Sequence, residues 1–179
     1  MRILNSSTIF IVIGLALGFG SALYSLDSWG MRPVSDYPGW KEWRLAQKDQ
    51  MLPYAIGHFL AAGSVPTPNS TRYYVRSVDD DGNGLRGDCK FSIEGPAVVA
   101  RWWSLSIQNT ATQSEHSVLS AGRTVLDNNR ELRATIALRP ESGNWLQPPN
   151  TAAFTLVYIV SEAEKDAFIV LPRVKKVSC

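Results

Sequence analysis

Cysteine and histidine are scarce, with two of each in 179 residues. Two thiols are too few for a disulfide scaffold or a cysteine-only zinc site. His58 and His116 lie in unlike segments with no second ligand at metal spacing, so no metal site is expected. Neither sign of charge dominates. Eighteen Lys and Arg against 16 Asp and Glu leave a net +2, too little to displace counterions from a phosphate backbone, which argues against a nucleic-acid partner. No Gly-rich phosphate loop precedes a helix, and Ser104 lies mid-strand rather than on a strained elbow. No catalytic residue and no cofactor is therefore assigned. Gly and Pro recur without a period, which excludes collagen-like sequence and indicates many turns. What is present is a 45% apolar, aromatic-rich chain, enough to bury one compact core.

Ile9 to Leu26 carries no charge, and at 1.5 Å per residue it spans roughly 27 Å, close to the hydrocarbon thickness of a bilayer. Ser21 and Ser25 are its only strongly polar side chains, so it lacks the polar stripe of a core helix. Two readings follow, an uncleaved anchor or a cleaved export signal. Gly20 and Ala22 suit a cleavage site, but Arg2 is a thin basic region and apolar residues continue through Leu26, so the anchor is preferred. Arg32, Lys41 and Arg44 beyond the span do not favour export by charge alone. Gly14, Gly18 and Ala22 share a helix face through which a second helix could approach, although such residues are common in membrane helices.

Residues 27–39 mix Gly, Pro, Asp and Ser and read as a linker. Helix formers from Trp40 to Met51, then PYAIGHFLAA closed by Gly63, predict short helices over 40–63 covering a β-sandwich over 64–179. Tyr73 to Val78 and Cys89 to Glu94 flank a Gly/Asn turn and predict a hairpin. Further strands are predicted at Ala100 to Gln108, Ser117 to Leu119, Leu132 to Leu138, Phe154 to Val160 and Phe168 to Leu171. The strand from Phe154 is apolar on both faces, which places it mid-sheet. The fold class is all-β, a jelly-roll-like antiparallel sandwich preceded by short helices and a membrane helix.

Asp79, Asp81, Asn83 and Gly84 match the first half of a calcium loop, but Lys90 stands where the bidentate acid belongs. A polar turn is the plainer reading. Arg101, Trp102, Trp103, Asn144 and Trp145 are candidates for a groove or partner surface, with a core role the alternative for the aromatics. Arg101, Arg123, Arg130, Arg133, Arg139 and Arg173 can fork onto an anionic ligand or membrane headgroups, with a solvated rim the plainer reading.

The segments LPYAIGHFLAAGSVP, DDDGNGLRGDCKFSIEGP, ARWWSLSI, GNWLQPP, FTLVYIV and VLPRV, across residues 50–179, resemble the domain-of-unknown-function 1214 family. The most specific pieces are Asp81 to Gly87, Ala100 to Leu105 and Gly143 to Leu146; Ser106 replaces the usual Thr. The resemblance implies a jelly-roll sandwich and a short, single-span bacterial form with its folded domain in the periplasm, anchored in the inner membrane beside a domain-of-unknown-function 1254 type partner. It supplies no reaction. An interaction or accessory role is expected, the alternative being an enzyme or carrier for an envelope glycan or lipid in an aromatic-lined groove. Export would place Cys89 and Cys179 in an oxidising compartment, where a pair is expected to close. Across 90 positions (179 − 89) the bridge contributes up to roughly 4 to 5 kcal/mol in the loop-entropy picture.

Overall fold

The computed structural model describes residues 6–30, 32–33, 38–43, 71–112, 114–150, 152–163 and 169–179. Its chain divides into two compact units, one of Met1–Arg32 and Leu45–Pro66, the other of Pro33–Arg44 and Thr67–Cys179.

In the first unit, helix α1 covers Ser6–Gly30, and its Ser7–Ser25 portion is long and apolar enough to cross a membrane. The Ser21 hydroxyl donates to the Gly18 carbonyl at 3.0 Å, so this polar side chain is satisfied within the helix. The helix outlasts the expected boundary at Leu26. Asp27, Ser28 and Trp29 contain no breaker, and Gly30 followed by Pro33 supplies the stop.

The second unit is a two-sheet sandwich. The larger sheet has the order β1-β2-β3-β9-β5-β6 and the smaller one β10-β4-β7-β8. In the larger sheet these are β1 (Arg32–Pro33), β2 (Trp40–Trp43), β3 (Thr71–Arg76), β9 (Phe154–Ala163), β5 (Ala100–Asn109) and β6 (Glu115–Ser120). In the smaller sheet they are β10 (Arg173–Ser178), β4 (Lys90–Pro96), β7 (Glu131–Ile136) and β8 (Asn144–Leu146). The pairs β2–β3, β3–β9, β5–β9, β5–β6, β4–β10 and β4–β7 are antiparallel, and β7–β8 is parallel.

Strand β9 lies mid-sheet, as its two apolar faces predict, with Leu156, Tyr158 and Val160 turned into the core and Val157 buried on the opposite face. Opposite them stand Phe91 and Ile93 of β4 and Leu132 and Ile136 of β7, all essentially inaccessible. Each such side chain contributes roughly 1.5 to 3 kcal/mol of burial. Phe91 meets Phe154 edge-on at 5.8 Å, and Trp103 meets Tyr158 at 5.8 Å. Burial, followed by the neighbouring Tyr74, raises the Tyr158 hydroxyl above the ordinary tyrosine range.

Three expectations are corrected. Residues Trp40–Trp43 form a strand, not the start of a helix, because Trp40 and Glu42 are buried while Lys41 between them is exposed; this is a two-residue period. The remainder of the predicted helical region, residues 44–63, lies outside the described residues. The predicted hairpin is also absent: its first strand belongs to the larger sheet and its second to the smaller. The turn closes only the bridge between Val78 and Gly84, after which buried Leu85 and the bridge from Arg86 to Ala153 carry the chain between sheets. The last strand begins after Pro172 rather than ending at Leu171. Proline offers no ladder N–H, whereas the chain from Arg173 onward pairs with β4. Lys175 and Lys176 then guard this edge against pairing with another chain.

One buried cation joins the sheets. Arg76 is 2% exposed, and its Nε–H donates to the Val78 carbonyl at 2.6 Å. Its Nη2 donates to Asp80 Oδ1 at 2.6 Å. The same Asp80 oxygen accepts the Val174 N–H of β10 at 3.1 Å, and the Asp80 N–H donates to the Val174 carbonyl at 2.8 Å. Trp40 lies under the guanidinium at 5.7 Å and donates its indole N–H to the Pro172 carbonyl at 2.9 Å. Gly39 is required beside them: its φ is +86°, and a Cβ there would stand 3.1 Å from Arg76.

The strand before this junction tolerates no side chain at Gly95, where a Cβ would lie 2.9 Å from the Pro172 Cα. Gly95→Ala is expected to cost about 1 to 3 kcal/mol through overpacking against backbone. Gly84→Ala, with open space around it, should change stability by no more than about 0.5 kcal/mol. Urea unfolding of both variants checks the contrast, and equal effects would contradict it.

Candidate functional site

Alternation along the smaller sheet sorts its residues into a core face and an outer face. Phe91, Ile93, Leu132, Ala134, Ile136, Leu146 and Val174 are buried. The residues between them face outward, and the register aligns them in two cross-strand rows. One row is Arg173, Glu94 and Arg133. The other is Lys175, Ser92, Thr135 and Trp145.

A shallow depression of about 320 Å³ lies here, lined among others by Ser92, Glu94, Asp127, Arg133, Thr135 and Asn144. Its walls are fixed by hydrogen bonds. Asn144 Nδ2 donates to the carbonyls of Val125 and Arg133 at 2.6 and 2.8 Å, and its Oδ1 accepts the Val125 N–H at 2.9 Å. Asp127 Oδ1 caps its own turn, accepting the N–H groups of Asn129 and Glu131 at 2.9 and 2.8 Å. Arg133 reaches Asp127 at 3.3 Å and Glu131 at 3.1 Å. The hydrogen bond to Glu131, then the negative charges of Asp127, Glu131 and Glu94, raise its already high proton affinity.

The structure does not gather the predicted candidates into one groove. Trp103 is buried in the core against Tyr158. Arg101 and Trp102 belong to β5 of the larger sheet; Arg101 pairs with Glu162 at 3.0 Å and Trp102 is 44% exposed. Asn144 and Trp145 stand on β8 of the smaller sheet, where the Trp145 indole N–H donates to the Ala137 carbonyl at 2.8 Å. Gly14, Gly18 and Ala22 are exposed on α1. Cys89 and Cys179 form a disulfide next to the Lys90–Ser178 pair of the β4–β10 ladder. His116 is exposed on β6, and His58 lies outside the described residues. Sequence reasoning missed the row of Arg173, Glu94 and Arg133, because only the strand register brings these three together.

The half-match to a calcium loop has a structural cause. Asp79 is buried, and its Oδ1 accepts the N–H groups of Asp81 and Asn83 at 3.0 and 2.8 Å while the Asn83 amide spans both oxygens. Spacing of this kind closes an Asx turn, with Gly82 at φ +85° completing it.

The family of proteins of unknown function DUF1214 matches residues 70–165. The chain belongs to that family. A search of curated proteins finds no match. Among solved structures, the DUF1214 chain is similar in fold to the VPA0106 protein from Vibrio parahaemolyticus, at 13% identity and a TM-score of 0.61, covering 98% of this chain and 47% of that one. It is also similar to an uncharacterized protein from Burkholderia cenocepacia, at 13% identity and a TM-score of 0.51, covering 62% of this chain and 30% of that one. The chain thus spans less than half the length of either solved protein.

Burial would raise the Asp79 carboxyl, but hydrogen bonds from Asn83 and Asp81 outweigh it and hold the group below its ordinary value of 3.8. A depressed carboxyl adds stability above its unfolded value, and that stability disappears as pH falls through the folded value. Asp79→Asn is therefore expected to cost most near neutrality, with the gap to the parent narrowing once pH drops below 3.8. Urea unfolding across a pH series measures this; a gap independent of pH would contradict it.

Proposed function

We propose that this DUF1214 protein is a membrane-anchored bacterial envelope protein whose sandwich lies in the periplasm and serves as an interaction or accessory module. The Cys89–Cys179 bridge carries the reading, because structural disulfides persist outside the reducing cytoplasm. Helix α1, membrane-length and apolar, supports attachment to the inner membrane. Export and retention of this helix together give a single-pass topology.

A protein partner of the domain-of-unknown-function 1254 type completes the proposal. Support comes from length: the Vibrio protein matches 98% of this chain with 47% of its own. In that protein the matched fold is joined to further sequence, so the fold occurs beside another part with which it can work. No group of three or more potential metal-binding side chains occurs among the described residues. The reading invokes binding rather than a reaction.

Two measurements test it. A reporter enzyme active only after export, fused after Cys179, should be active, and unreduced protein should show no free thiol on unfolding. Crosslinking in native membranes should then capture the partner. Activity of a cytoplasm-only reporter would reverse the topology, two free thiols per chain would refute the bridge that carries the reading, and capture of no 1254-type protein would remove the partner.

A further inference from the structure

We propose that the outer face of the smaller sheet binds a neutral saccharide, seated in the depression over Ser92 and Thr135 with Trp145 beside it. The charge of this face selects the ligand class. Arg133, Arg173 and Lys175 are balanced by Glu94, Asp127 and Glu131, so the face carries no net charge with which to concentrate an anion. A lipid chain is disfavoured as well, because the charged groups of Glu94, Asp127 and Arg133 stand in the lining among apolar residues, and an alkyl chain would take them out of water without a partner of its own.

A sugar hydroxyl both donates and accepts, and neighbouring hydroxyls are matched by donors and acceptors that alternate across a surface. Here Glu94 accepts only, Arg133 donates only, and Ser92 and Thr135 do both. Register places all four on adjacent strands. The Arg133 fork is held by Asp127 and Glu131, and Asn144 ties the neighbouring loop to β7, so the site is arranged before a ligand arrives.

Ile93, Val125, Leu126 and Ala134 give the depression apolar surface, and Trp145, outside its lining but next to Thr135, extends it. Trp145 is paired in register with Thr135 and half-buried, and its indole N–H is committed to the Ala137 carbonyl. What remains for a ligand is the ring itself, suited to the C–H face of a pyranose. The volume of about 320 Å³ is at the small end of ligand sites and suits a short saccharide segment.

Calorimetric titration of the full chain, held in a detergent without a sugar headgroup, tests the site with maltohexaose, cellohexaose and chitohexaose. At least one should bind saturably, with an affinity unchanged by added salt, since no net charge is neutralised. Glu94→Gln, at an exposed position, and Trp145→Ala should each weaken that binding by about tenfold. Should Trp145→Ala fail to fold, Glu94→Gln alone decides. No binding by any of the three, unchanged affinity in the folded variants, or an affinity that falls steeply with salt would overturn the proposal.

Discussion

A guanidinium that is 2% exposed must be paired, and the second unit is organised around how Arg76 meets that demand. Its partner Asp80 belongs to the segment that leaves the larger sheet, and Asp80 in turn holds Val174, where β10 joins the smaller one. Trp40 lies against the same cation and reaches Pro172 just before that strand. Three segments distant in sequence, around Trp40, Arg76 to Asp80, and Pro172 to Val174, thus converge on one charge. Apolar burial supplies most of the favourable free energy of the sandwich, but it is non-directional. The Arg76 cluster adds direction, fixing where the sheets join.

The disulfide acts on the same strand from its other end. Val174 anchors the start of β10, and Cys179 ties its finish to the residue preceding β4. Between these points Lys175 and Lys176 can stay exposed without the edge fraying, which leaves the outer rows of the smaller sheet on a backbone secured at both ends. The candidate binding face therefore depends on the cluster beneath it.

Much of this was legible from residue order. Two apolar faces placed β9 mid-sheet, alternation found β5 and β7, and the two cysteines expected to pair are bonded to each other. The failures have physical causes. Tyr73 to Val78 and Cys89 to Glu94 carry strand patterns around turn residues, and nothing local records that buried Leu85 sends the chain to the other sheet. Trp40–Trp43 consists of residues a helix accepts, and pairing with β3 overrides that preference. Strand β8 has three residues, too few for a period to show. The candidate site was half visible: Asn144 and Trp145 stood out as unusual residues, whereas the alignment of Arg173, Glu94 and Arg133 is a product of register between strands far apart in sequence.

A double-mutant cycle on Arg76→Met and Asp80→Asn, read by urea unfolding, tests the central claim most directly. Contact within one buried network predicts that each substitution alone is costly and that the double variant loses less than the sum, with a coupling of about 1 to 3 kcal/mol. Additive losses, or single losses below about 0.5 kcal/mol, would contradict the view that this pair joins the two sheets.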